Sequence, residues 1–182
     1  MGDTGQRAAP DHQFIDKAGR MPRLSDYWTA ADKGIVLVFL RHFGCIFCRD
    51  QIAQLRERHE EFRSRGWDLV AIGQGTEIRA ARFGEDNNLP FPVFGDRDRT
   101  TYRAYGVPST AFGSFLEPDA YKAGVRALLR GHLPGMWEGS FNQNPGVFLI
   151  DRDGWIVREY LGRHAGDFPT IDEILGWIDS AT

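Results

Sequence analysis

Two cysteines in 182 residues exclude a disulfide scaffold. Long apolar runs are missing too: the longest, Ile35 to Leu40, falls far short of the roughly 20 residues that a bilayer-spanning helix needs. Neither sign of charge dominates, with 22 Lys and Arg against 25 Asp and Glu. A net charge of −3 supplies no basic face, so no nucleic-acid partner and no membrane partner is expected. The opening MGDTGQRAAPDHQ has no basic flank running into an apolar stretch, so no secretory leader is expected. Gln6 stands where a myristoylation signal requires Ser or Thr, and a cytoplasmic location is the default expectation. What is present is an apolar content of 42% and a charged content of 26%, the composition of one globular domain.

Residues 1–20 are polar and punctuated by Gly and Pro, which predicts a flexible N-terminal arm ahead of a domain over 21–182. Leu24 to Trp28 adds some apolar anchoring. Ile35 to Leu40 is rich in β-branched residues, the pattern of a strand buried on both faces. From Cys48 to about Arg65 the period becomes helical, with Ile52, Leu55 and Phe62 near one stripe and Gly66 as a stop. Further strands are expected at Trp67–Ile72 and Pro92–Phe94, and further helical segments at Glu77–Phe83 and Thr100–Tyr105. Gly106 to Asn144 interrupts this rhythm with six glycines and three prolines and reads as an insertion, with one helical patch at Asp119–Leu129. A hairpin follows: Val147–Ile150, a turn at Asp153-Gly154, and Trp155–Tyr160. Thr170-Ile171-Asp172-Glu173 has the form of a capping box before a final amphipathic helix. Parallel crossovers in the first half and an antiparallel pair in the second predict an α/β fold, a mixed central sheet with helices on both faces.

Both cysteines fall in one motif, Cys45-Ile46-Phe47-Cys48, between the buried strand and the amphipathic helix. At a helix N-terminus, unpaired backbone N–H groups and the macrodipole favour a thiolate. A second sulfur one turn later lies within disulfide reach. Cys45 is therefore expected as the exposed nucleophile with a depressed pKa, and Cys48 as the more buried resolving thiol. Two alternatives stay open. A zinc site needs about four ligands, yet there is no second cysteine pair, and the five histidines (His12, His42, His59, His132, His164) show no HxxxH spacing. The pair is otherwise two packed, inert thiols. Haem attachment requires His after the second cysteine, where this chain has Arg49. No cofactor is implied.

The stretch Leu40 to Arg49 (LRHFGCIFCR) resembles the LRHFGCPFCR signature of the peroxiredoxin-like proteins, a branch of the alkyl hydroperoxide reductase/thiol-specific antioxidant (AhpC/TSA) superfamily. Gln143 to Asp151, with Asp153-Gly154, resembles that family's second signature, a PGxFxxDxxG strand and turn. The likeness runs from about Leu24 to Ile178. It implies a thioredoxin-like fold, a redox-active cysteine pair, an antioxidant type of function, a protein or low-molecular-weight thiol as reductant, and a peroxide or disulfide as substrate. Two departures bear on activity. Peroxiredoxins carry PxxxTxxC at the reactive cysteine, and here Val38 and His42 occupy the Pro and Thr positions. They also place an arginine just before the later strand, where this chain has Pro145. A proline there is what thioredoxins have, in the cis form, packed on the disulfide. The resemblance thus favours thiol–disulfide exchange, with hydroperoxide reduction and a non-catalytic redox module as the other readings.

Supporting candidates surround the pair. Arg41 and Arg49 either tune Cys45 or are solvated, paired with Asp50 or Glu60. His42 is either a proton shuttle or a histidine packed at a strand end. Pro145 is expected cis and beside Cys45. Trp137 and Phe141 either rim a substrate groove or anchor the insertion. Gln74-Gly75-Thr76 reads as a plain strand-to-helix turn.

Overall fold

A computed structural model describes residues 7–109 and 142–181. Its elements run β1 (Arg7–Ala8), α1 (Leu24–Ala30), β2 (Gly34–Phe39), α2 (Ile46–Glu57), α3 (His59–Arg63), β3 (Trp67–Gly73), α4 (Glu77–Asp86), β4 (Val93–Gly95), α5 (Thr100–Ala104), β5 (Gly146–Asp151), β6 (Trp155–Leu161) and α6 (Ile171–Ser180). One mixed sheet has the order β1-β6-β5-β2-β3-β4. β2 lies at its centre, parallel to β3 from Gly34↔Trp67 to Phe39↔Ile72, and antiparallel to β5 from Gly34↔Asp151 to Phe39↔Gly146.

Alternation along β2 explains why its apolar run is unbroken. Val36 and Val38 enter a core shared with Ile52 and Leu55 of α2, Phe62 of α3, Phe83 of α4, and Ile174 and Ile178 of α6. Ile35, Leu37 and Phe39 enter a second core with Leu24 and Trp28 of α1, Tyr102 of α5 and Phe148. Each face of the strand is covered, as a central strand between two helical layers requires. The final helix starts at the expected capping box: Thr170 accepts from the Glu173 backbone, and Glu173 accepts from the Thr170 N–H at 2.7 Å. Gly66 follows α3 with φ +83°, a left-handed stop suited to glycine.

Three expectations change. The expected flexible arm is, over residues 7–20, tied to the domain. Arg7 and Ala8 pair with Ile156 and Trp155, and Phe14 is buried and stacks on Phe94 at 4.7 Å between ring centroids. A few anchors suffice to hold a polar segment whose composition alone looks unstructured. The LSDYW stretch is a full helix, α1. Asp26 accepts from the Arg23 N–H at 2.7 Å, and Asp11 accepts from the Ser25 N–H at 3.0 Å, satisfying its first turn. The single helix expected to Arg65 breaks at Arg58 (φ −108°, ψ 16°), whose N–H reaches both Gln54 O and Arg56 O in a tightened last turn. The expected helical patch at Asp119–Leu129 lies outside the described residues. Ser109 and Gln143, either side of that stretch, form an antiparallel bridge. Among the described residues no helix is long and apolar enough to cross a membrane.

Candidate active site

β2 delivers the chain through Arg41–Gly44 to Cys45, which is the N-cap residue of α2 with an extended backbone (φ −73°, ψ 124°). The sulfur sits where the first N–H groups of the helix are unpaired. Cys48 lies one turn on, fully buried, and accepts from the Arg41 backbone N–H at 3.2 Å. Both cysteines are free thiols. Cys45 is 4% exposed, so the expectation of an exposed nucleophile gives way to a sulfur that is covered yet a little more open than its partner.

Their electrostatics diverge. Burial pushes the Cys45 thiol up, but the Cys48 thiol, the Arg41 charge and the Cys48 backbone N–H together outweigh it and bring the group down to about 6. The amide contribution is not a regular side-chain cap hydrogen bond. Cys48 moves the other way: burial raises it, and the hydrogen bond to Cys45 and the Cys45 charge raise it further. Two sulfurs so close cannot both ionise cheaply, and the directions of the two shifts favour Cys45 as the one that ionises first.

Arg41 is the cation that matters. It is 3% exposed; its Nη1 lies 3.6 Å from the Cys45 sulfur, and its Nε donates to Gln143 O at 2.8 Å. Its carbonyl accepts from the Gln74 amide. Of the two arginines singled out in the sequence, Arg41 is the one whose guanidinium lies against the Cys45 sulfur. His42 is buried at the strand end, and its carbonyl accepts from the Cys45 N–H at 3.0 Å. Burial first, and the Arg41 charge second, hold its imidazole down at about 4, so it is neutral near pH 7. Arg49 contributes its backbone N–H to Cys45 O at 3.1 Å, and its buried Nε has no hydrogen-bond partner among the described residues.

Pro145 is buried just before β5, but the Asn144–Pro145 bond is trans, correcting the expected cis form. Most X-Pro bonds are trans. Here the Pro145 carbonyl accepts from the Gly162 N–H at 2.9 Å, and Asn144 Nδ2 donates to Gly162 O at 2.8 Å, fixing this segment against the loop after β6. Trp137 and Phe141 lie outside the described residues.

Three polar neighbours of the pair escape sequence reading. Gln74 and Gln143 are each 2% exposed and bind the Arg41 main chain and side chain respectively. Tyr102, beneath the end of β2, donates to Leu40 O and, at 3.2 Å, to Ile72 O. Burial, then the nearby Cys48, pushes its phenol well above the usual range. The sequence signals were a polar residue directly after the buried β3 for Gln74 and a place in the second family-like signature for Gln143; Tyr102, within α5, had none. Phe43 completes the floor, packed on Phe83 at 5.1 Å and over Gly73 and Gly75, where any Cβ would run into its ring. Among the described residues no group of three or more His, Cys, Asp and Glu gathers as a metal site.

A cysteine at the N-cap of a helix with a buried partner one turn on, set at the end of the central strand of a mixed sheet, defines a thioredoxin-like redox protein. The AhpC/TSA family model matches residues 5–159, and the chain belongs to that family. It is 29% identical over 180 residues to the thioredoxin-like protein AAED1, chloroplastic, of Arabidopsis thaliana, covering 90% of this chain and 68% of that one. It is 32% identical over 102 residues to the thiol-disulfide oxidoreductase ResA of Geobacillus thermodenitrificans, covering 54% and 55% of the two chains. Among solved structures, a peroxidoxin, BcpB of Mycobacterium tuberculosis, superposes with a TM-score of 0.71 at 18% identity over 97% of both chains, a likeness of fold.

Proposed function

We propose that the protein is a thiol–disulfide oxidoreductase in which Cys45 is the nucleophile and Cys48 the resolving thiol. The observation that carries this reading is the geometry of the pair: Cys45 is the N-cap residue of α2 with the Arg41 guanidinium 3.6 Å from its sulfur, and Cys48 lies fully buried one turn on. The Cys45 thiolate attacks one sulfur of a substrate disulfide, forms a mixed disulfide, and expels the other half as a thiolate. Spending the Cys45 charge removes the like-charge penalty on Cys48, which then ionises more readily. Its thiolate attacks the Cys45 sulfur, releases the bound half as a thiolate, and leaves a Cys45–Cys48 disulfide. A protein or low-molecular-weight dithiol returns the pair to the reduced state by the reverse exchange. A cytoplasmic location, where thiol pools keep such pairs reduced, belongs to the proposal.

Hydroperoxide reduction is the second reading, favoured by one observation: a sulfur 4% exposed with a guanidinium Nη1 at 3.6 Å suits a small oxidant. There Cys45 takes the terminal peroxide oxygen as a sulfenic acid, the alcohol or water leaves, and Cys48 condenses with the sulfenic acid to give the same disulfide plus water.

Parallel turnover with a protein disulfide and with hydrogen peroxide, under one dithiol reductant, separates them. Cys48→Ser is expected to accumulate a mixed disulfide on Cys45 during exchange. A sulfenic acid formed rapidly at low peroxide, with no mixed disulfide, moves the assignment to the second reading. Capture by Cys45→Ser and not by Cys48→Ser reverses the two roles.

A further inference from the structure

We propose that Gln74 and Gln143 are positioning residues for the reactive thiol, acting on the Cys45 sulfur through Arg41, which they fix in place. The proposal rests on the reading of Cys45 as nucleophile and names what sets its charge. An arginine side chain has many rotamers to lose and ordinarily seeks water. Arg41 instead is 3% exposed, and its contacts explain why it stays. At the side chain, Nε donates to Gln143 O at 2.8 Å, leaving Nη1 directed at the Cys45 sulfur at 3.6 Å. At the main chain, the carbonyl accepts from Gln74 Nε2 and the N–H reaches the Cys48 sulfur.

Gln143 is held in turn. Its Nε2 donates to Pro108 O at 2.9 Å and to Val107 O at 3.3 Å, and the neighbouring Asn144 N–H donates to Pro108 O at 3.0 Å. The acceptor for Arg41 is thus pinned to the segment after α5, while Gln74 pins the other end of Arg41 to the end of β3. Burying two amides costs free energy unless their hydrogen bonds are made. Apolar side chains would fill the same space without that desolvation, so what the amides add is direction. A point charge displaced by a few ångströms toward water loses most of its hold on a buried thiolate.

The test is the pH dependence of alkylation of each thiol in the reduced full chain, assigned by mass spectrometry. In the wild type Cys45 is the fast thiol. Gln143→Met and Gln74→Met are each expected to raise the Cys45 midpoint by roughly half to one unit, less than Arg41→Met at roughly one to three units. Adding either glutamine substitution to Arg41→Met should move the midpoint no further, because the pathway through Arg41 is already gone. A merely structural role would shift both backgrounds alike, and that result overturns the proposal, as does an unchanged midpoint in the single variants. Arg41→Lys leaves both glutamines intact and keeps the charge without the Nε fork; an intermediate midpoint supports the proposal, and a wild-type midpoint overturns it. If these variants fail while wild-type Cys45 remains the fast, low-titrating thiol, the positioning claim falls alone. If Cys48 is the fast thiol in the wild type, the functional reading falls with it.

Discussion

At the N-terminal end of α2 a guanidinium faces a sulfur; at its C-terminal end another guanidinium faces two carboxylates. Arg41 is buried and touches Cys45 at 3.6 Å, whereas Arg58, with a third of its side chain exposed, meets Glu61 at 2.6 Å and Asp172 at 2.5 Å. The Arg58 charge is matched by opposite charges in a solvent-screened setting, and such pairs contribute little. The Arg41 charge acts in a site with little water, where the helix N-terminus also favours the anion. The same side chain ties α6 to the α2–α3 junction in one place and lies against the Cys45 sulfur in the other. Burial and the nature of the partner make the difference.

The largest expected effect lies at the sulfur itself: Cys45→Ser should take turnover with either disulfide or peroxide to background in a steady-state assay, with the circular dichroism of the fold retained. Next comes Arg41→Met. With a midpoint raised from about 6 by roughly one to three units, the thiolate fraction near pH 7 drops by between about twofold and nearly a hundredfold, and so should the alkylation rate of Cys45. The matching change at the other end of the helix, Arg58→Leu, should leave that rate untouched. Equal effects of the two substitutions would erase the contrast drawn between the helix ends.

The sequence made the chemistry legible but not its support. The CxxC, the buried strand before it and the Thr170–Glu173 capping box are local patterns, each decided by residues within one turn or one strand. Arg41 and Arg49 stand four residues either side of Cys45 and look equivalent in the sequence. What distinguishes them is a hydrogen bond from Arg41 to Gln143, 102 positions away. Such a contact leaves no mark on spacing, and for the same reason Gln74 read as an ordinary turn residue. The pairing of Arg7 and Ala8 with β6 escaped because a two-residue strand carries no period. The trans bond before Pro145 corrects an expectation drawn from family likeness, since the same proline position serves here to hold the loop after β6.

A smaller effect is expected at the floor of the site. In Gly75→Ala the new Cβ would lie 2.9 Å from the Phe43 ring, at a backbone φ of +147°. Overpacking of this kind costs about 1–3 kcal/mol, measurable as a lower Tm. The same substitution at the exposed Gly106, where nothing lies within 4 Å, adds only the strain of a φ of +72°. A subtler acid response comes from His42, titrating near 4 in the fold against an ordinary 6.5. Between these values the unfolded chain binds the proton and the native one does not, so stability rises with pH across that window and is lost as pH falls through it. His42→Gln should flatten the dependence of Tm on pH there.

Alkylation of the reduced wild-type protein across about pH 5 to 9, with each cysteine quantified separately by mass spectrometry, tests the division of charge between the two sulfurs most directly. The account predicts a Cys45 rate that rises through a midpoint near 6 and then levels, with Cys48 slow throughout the range. Two thiols rising together near the ordinary cysteine value of about 8.5, or Cys48 reacting first, would contradict it.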